Sequence, residues 1–157
     1  MQGFGSEGGS VVPTSCYLNR PGYYGGYERA DLEQLLTLLA TDYHSWATMF
    51  IDLLLGPLAL PGLAEKLHQC VGVAASLMAQ QFARVTFLSD HRADVPRLAL
   101  PTLVVQCQDD FIAPAEVGDY LVAHLPQAQL VTLPTSGHCP QLSAPLATLA
   151  ALRVFLQ

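Results

Sequence analysis

The chain of 157 residues is long enough for one domain with a hydrophobic core of its own. Thirteen acidic and seven basic residues give a net charge of −6, which argues against nucleic acid or an anionic membrane as a partner. Only 13% of the residues are charged and 51% are hydrophobic, so either the chain is buried against something or its composition is simply rich in Leu and Ala.

The N-terminal segment, residues 1–12, is low in complexity, and we expect it to be disordered. It lacks a basic stretch followed by an apolar run, so no secretory signal is predicted. The apolar stretch at 53–60 is too short, and too broken by Pro and Gly, to span a bilayer. The cysteines are scattered without a C-x-x-C pair, and we interpret them as free thiols in a reducing cytoplasm.

Residues 13–95 are predicted to form a layer of four helices. Pro21-Gly22 and Gly25-Gly26 indicate turns, and Asp31 followed by Gln34 resembles a capping box at the start of the first helix. Apolar residues then recur at helical spacing in four successive segments, near 32–39, 46–54, 63–70 and 74–85.

The pattern changes after Pro96, where residues 96–157 favour the order strand, helix, strand, helix. Short apolar runs predict strands at 102–105 and 128–133, and both are typical of the buried strands of a parallel sheet. The fold class is therefore α/β. Two strands do not make a sheet, and residues 1–100 offer no other convincing strand.

Polar residues follow both predicted strands, at the ends where chemistry gathers in a parallel sheet. Asp109 and Asp110 follow the first strand, and His138 follows the second. A carboxylate that accepts the imidazole Nδ1–H can orient a His that takes a proton from a nucleophile. Successive strand residues face opposite sides, so only one of the two aspartates can face His138. By itself, however, an Asp followed by a His is more often a coincidence than a catalytic pair.

Six motifs occur in one order: Tyr17-Leu18-Asn19, Tyr24-Gly25-Gly26-Tyr27-Glu28, the helix at Trp46–Phe50, Phe87-Leu88-Ser89-Asp90, Gln106–Pro114 and Ser136–Gln141. In that order they resemble the small α/β-hydrolases that include the RsbQ stress regulators of bacteria and the strigolactone and karrikin receptors of plants. The likeness runs from about Pro13 to Gln157, and the YGGYER and DHR segments favour the bacterial branch.

This resemblance implies a partial α/β-hydrolase fold, with a helical lid at 13–95 and the C-terminal part of the core at 96–157. It implies that Asp110 orients His138, which acts as base and then as acid. It also implies that three aromatic residues wall the pocket of a small apolar ester- or lactone-like ligand: Trp46, Phe50 and Phe87. Periodicity alone would make these three ordinary core residues. No metal or organic cofactor is implied.

The chain departs from the family at the nucleophile, because it contains no G-x-S-x-G elbow. Ser6 comes nearest, but Phe4 stands where the first Gly should be. We therefore expect the chain to be inactive by itself and the serine to be absent from it. Cys139 lacks an independent base and is interpreted as part of the His loop.

Two other functions remain open at this stage. One is a ligand-sensing signalling module, like the RsbQ regulators, that presents its helical cap to a protein partner such as a signalling phosphatase. The other is a truncated gene product without function, which the mismatch of residues 1–12 with the family favours.

Overall fold

The structure, a computed structural model, describes residues 9–11, 15–57, 59–60, 62–72 and 76–157. Its elements in chain order are β1 (Gly9–Val11), α1 (Arg29–Thr41), α2 (Tyr43–Leu55), α3 (Leu63–Gly72), α4 (Ser76–Leu88), a 3₁₀ turn (Val95–Arg97), β2 (Thr102–Asp109), α5 (Ala115–His124), β3 (Ala128–Ser136), α6 (Pro140–Ser143) and α7 (Pro145–Phe155). Within this part of the chain, no helix combines the length and the apolar character that crossing a bilayer requires.

The sheet has the order β1-β2-β3, and both pairings are parallel. Both predicted strands are present. Each extends beyond its apolar run at the C-terminal end, because the pairing between β2 and β3 continues into polar residues. The first six residues of β2 are buried, as expected for a central strand between two neighbours. β3 is partly exposed and contains Pro134, which cannot donate to a ladder and is typical of an edge strand.

The expectation of disorder in residues 1–12 is wrong for Gly9–Val11, which pair in register with Thr102–Val104 of β2. Residues 1–8 and 12 lie outside the described part of the chain. The expectation that residues 1–100 contain no further strand is wrong for the same reason. Three residues that begin with Gly-Ser are too few to produce a periodic signal, so only the pairing with β2 reveals this strand.

The four predicted helices are present as α1–α4, although residues 73–75 of the fourth lie outside the described residues. The capping box lies three residues earlier than predicted. The Asp31 carboxylate accepts the backbone N–H of Glu28 at 2.9 Å, so α1 begins at Arg29. The predicted C-terminal helix is present as α7, which opens at Pro145, and a short helix that was not predicted, α6, precedes it and opens at Pro140.

The helices α1–α4 form a layer of their own, in which α2 packs on α1 and α3, and α1 packs on α4. Its core contains side chains that are at most 6% exposed: Leu32, Leu39, Trp46, Ala47, Ala83 and Phe87. The two chain segments that connect this layer to the sheet also contact each other, through an antiparallel bridge between Cys16 and Asp90. Arg92 closes this junction with two hydrogen bonds to Asp90, which hold the pKa of that carboxyl below its usual value.

The described surface carries large exposed apolar side chains on two helices. Leu77 and Val85 of α4 are 73% and 72% exposed, and Leu146 and Val154 of α7 are 82% and 73% exposed. Among the described residues, β1 pairs only with β2, so its other edge presents unpaired backbone groups. Exposed strand edges and apolar patches are the usual sites of association between chains.

We therefore expect the purified 157-residue chain to self-associate. Burying about 400 Å² of this apolar surface would contribute about 10 kcal/mol of transfer free energy, which is of the same order as the entropy cost of bringing two chains together. Size-exclusion chromatography with light scattering checks the mass of the particle. A monodisperse monomer that also unfolds in one cooperative thermal transition would contradict this expectation.

Candidate active site

The site is built at the edge where β2 and β3 end, because parallel strands bring their C-terminal ends together. Asp110 follows β2, His138 follows β3, and Asp110 Oδ2 lies 2.8 Å from His138 Nδ1. The Asp110 side chain is 2% exposed and the His138 side chain 11% exposed. An ionised carboxylate only accepts hydrogen bonds, so the contact favours the proton on Nδ1 and leaves Nε2 available as a base.

The structure confirms the predicted choice between the two aspartates. Asp109 is exposed, and its backbone carbonyl accepts the N–H of Gly137 at 3.0 Å. Asp110 faces His138, as strand alternation together with the family register predicted. The catalytic role of the pair stays a prediction, since the contact alone does not establish a reaction.

Asp110 is held by its own turn. Its Oδ1 accepts the backbone N–H groups of Ile112 and Ala113, each at 2.9 Å, while Oδ2 contacts His138. Gln106 stabilises the same turn from the buried face of β2, because its Nε2 donates to the Ala113 carbonyl at 3.0 Å. The carboxylate is therefore fixed before any ligand arrives.

Tyr27 braces this turn from the outside. Its hydroxyl donates to the Phe111 carbonyl at 3.0 Å, one residue beyond Asp110. Burial raises the pKa of Tyr27, and the negative charges of Asp110 and Asp31 raise it further, so the hydroxyl remains a donor at neutral pH. The sequence identified the YGGYE segment only as a family motif, and its contact with the Asp110 turn explains its place in the fold.

The His138 loop is shaped by Gly137, which has φ +91°. Only glycine adopts such a conformation without strain. The backbone N–H groups of His138 and Cys139 both donate to the carbonyl of Leu54, at 2.8 and 3.1 Å. The end of α2 thus contacts the loop that carries the imidazole, a contact that the sequence did not predict.

A cavity of about 490 Å³ lies between the helical layer and the His138 loop. Its wall includes all three aromatic residues predicted for the ligand pocket, Trp46, Phe50 and Phe87, together with His138. Trp46 and Phe50 are stacked at 4.8 Å between ring centroids, and Phe50 meets Phe87 edge to face at 5.9 Å. Their position agrees with ligand binding, and that role stays a prediction.

A second, more open groove of about 570 Å³ lies along the other side of α2. Neither Asp110 nor His138 lines it, so the first cavity is the better candidate for the chemistry. Each of these openings has a methionine in its wall. Met78 is 75% exposed and lines the first cavity, and Met49 is 37% exposed and lines the groove.

Two cysteines lie close to the Asp–His pair. Burial raises the pKa of the Cys107 thiol to about 12, with smaller contributions from Asp110 and Cys139. Burial also raises the pKa of Cys139, and Asp110 adds to the rise against a lowering hydrogen bond from Gln141. Both are neutral thiols at pH 7, so neither is an activated nucleophile.

We predict the order in which iodoacetamide modifies the thiols of the folded chain at about pH 7.5. Cys70 is exposed and should react first, whereas Cys16 and Cys107 are buried and should react only after unfolding. Cys139 should be slow because its thiol stays protonated. Peptide mapping by mass spectrometry measures the order, and modification of Cys139 before Cys70 would show that its thiolate is activated after all.

Residues 6–152 match the family described as "Alpha/beta hydrolase family". The chain is 32% identical to the strigolactone esterase D14 of Arabidopsis thaliana over 87% of its own length and 51% of that protein. It is 30% identical to the karrikin insensitive 2 receptor CA of Petunia hybrida over 87% of its own length and 51% of that protein. The structure superposes on a hydrolase from Oleispira antarctica with a TM-score of 0.85 and 32% identity, covering 93% of this chain and 55% of that one. The chain thus spans about half the length of the curated relatives it matches.

Proposed function

Since this chain belongs to the alpha/beta hydrolase family and has a partial α/β-hydrolase fold, we propose that it contributes the acid–base pair and the ligand pocket of a serine-type hydrolase. The substrate is a small apolar ester- or lactone-like molecule. One observation carries the proposal, namely that His138, hydrogen-bonded to Asp110 at 2.8 Å, borders an aromatic cavity of about 490 Å³.

In the proposed reaction, His138 Nε2 takes the proton of a serine hydroxyl as its oxygen attacks the ester carbonyl. The imidazolium then returns that proton to the leaving alkoxide, and an acyl-enzyme forms. His138 then takes a proton from a water molecule as the water oxygen attacks the acyl-enzyme. The imidazolium returns this proton to the serine oxygen, and the acid is released. Asp110 keeps the proton on Nδ1 and stabilises the imidazolium.

The serine of this reaction belongs, in our proposal, to a segment outside these 157 residues. No G-x-S-x-G elbow occurs in the sequence. The sheet supports a position for that segment beside β1, because β3 has the Pro134 of an edge strand while the outer edge of β1 lacks a partner among the described strands.

The cavity wall supports a neutral, largely apolar ligand. Of the described residues that line it, none is Asp, Glu, Lys or Arg. A charged ligand would lose its hydration there without gaining an ion pair, and burial of such a charge is costly. Aromatic side chains instead offer area for a ring or a short alkyl chain.

A second candidate is a ligand-sensing signalling module whose partner is a protein such as a signalling phosphatase. The relatives support it, since they include a karrikin insensitive receptor as well as a strigolactone esterase. The exposed apolar face of α4, with Leu77 and Val85, is a surface that such a partner could cover. Fast turnover of simple esters favours the enzyme, and binding to a phosphatase with negligible turnover favours the sensor.

We predict that the chain alone hydrolyses p-nitrophenyl butyrate no faster than its His138→Ala variant. Co-expression with the N-terminal half of a related hydrolase should yield an active assembly. In that assembly Asp110→Asn should lower kcat by roughly 10⁴-fold, because the wrong imidazole tautomer is then favoured. Release of p-nitrophenol under steady-state conditions measures both effects.

The matched control is Asp109→Asn, since this neighbouring carboxylate is exposed and makes no contact with His138 that the structure records. It should leave kcat within about twofold, as surface substitutions usually do. Equal losses from the two substitutions, or turnover by the chain alone that depends on His138, would overturn the assignment.

A further inference from the structure

The last turn of α2 ends against the loop that carries His138. A helix leaves its final carbonyls without partners inside the helix, and Leu54 supplies one of them. That carbonyl accepts the N–H groups of His138 and Cys139 at 2.8 and 3.1 Å. The end of α2 is therefore capped by the His138 loop itself.

Two glycines make this close approach possible. Gly56 ends α2 with φ +67°, and Gly137 precedes His138 with φ +91°. A Cβ on Gly56 would lie 2.7 Å from the Gly137 nitrogen, and a Cβ on Gly137 would lie 2.5 Å from the Leu55 carbonyl. Both distances are shorter than any normal contact of a Cβ atom. The Gly137 nitrogen and the Leu55 carbonyl are backbone atoms, so neither the His138 loop nor the end of α2 can move away easily.

The same helix forms part of the ligand cavity. Trp46, Phe50 and Leu54 of α2 line its wall, and Leu54 also contributes the carbonyl that holds the His138 loop. Because these residues share one helix of 13 residues, a shift of that helix would move both the cavity wall and the Leu54 carbonyl that holds the His138 loop.

We infer that the C-terminal end of α2, through the Gly56–Gly137 contact and the Leu54 carbonyl, is the positioning element that sets His138 against Asp110 and the nucleophile. The inference rests on the proposed catalytic role of His138. It goes beyond that role by making the alignment of the base depend on the helical layer instead of on the sheet alone. A ligand that packs against α2 holds the imidazole in its working position.

The test is Gly56→Ala in the full chain, with Gly22→Ala as its control. Gly22 has φ +72°, and a methyl group placed on it would meet nothing within 4 Å beyond its chain neighbours. Both variants place a side chain at a residue with positive φ, and only at Gly56 would the added methyl group meet the His138 loop. Amide hydrogen exchange of His138 and Cys139 should become faster by about tenfold or more in Gly56→Ala and stay unchanged in Gly22→Ala.

A spectroscopic readout separates positioning from general destabilisation. The Nδ1 proton of His138, hydrogen-bonded to Asp110, should give a resolved downfield resonance in ¹⁵N-edited spectra of the wild type. Gly56→Ala should shift or broaden it, Gly137→Ala should act in the same way from the other side of the contact, and Gly22→Ala should preserve it. Equal changes in all three variants, or in none, would overturn the inference.

If Gly56→Ala does not fold, an experiment on the wild-type chain tests the inference. In native-state hydrogen exchange at increasing denaturant, the amides of His138 and Cys139 should open together with those of the last turn of α2. Independent opening of the two regions would overturn the inference. None of these measurements requires turnover, so a failed esterase assay and a failed exchange experiment are distinguishable results.

Discussion

The hydrogen bond between Asp110 and His138 is the interaction on which the rest of the site depends. It joins the ends of two parallel strands, and it fixes the tautomer that gives the imidazole a free Nε2. A side-chain pair of this kind is useful only if both partners are held in place. Each is therefore supported separately, Asp110 by the N–H groups of its own turn and His138 by the end of α2.

The helical layer and the loop that precedes it contact both supports. Tyr27 reaches the Asp110 turn from the loop before α1, and Leu54 reaches the His138 loop from α2. The helical layer thus does more than cover a cavity, because Leu54 of this layer and Tyr27 of the loop before it contact the two loops of the pair. The arrangement also accounts for the tight packing at Gly56 and Gly137, where a side chain on either residue would separate the layer from the sheet.

Much of this fold follows from local sequence patterns, and the remainder depends on contacts between distant residues. The strand at Thr102 was predictable because a central strand is apolar on both faces, and Asp110 was chosen over Asp109 by strand alternation with the family register. Gly9–Val11 carry no such pattern, since three residues become a strand only beside β2. Nothing in the sequence around Gly56 reveals that Gly137 lies opposite it, because the two residues are far apart in the chain.

In the proposed function, His138 acts on a serine supplied by a segment outside this chain. A crystal structure of the chain assembled with the N-terminal half of a related hydrolase, after reaction with an alkyl fluorophosphonate, tests it most directly. We expect a phosphonylated serine whose Oγ lies about 2.6–3.2 Å from His138 Nε2, or slightly farther, with the Asp110 carboxylate still hydrogen-bonded to Nδ1. The alkyl chain should lie among Trp46, Phe50 and Phe87. A labelled serine beyond reach of His138, or an inhibitor chain outside this cavity, would contradict it.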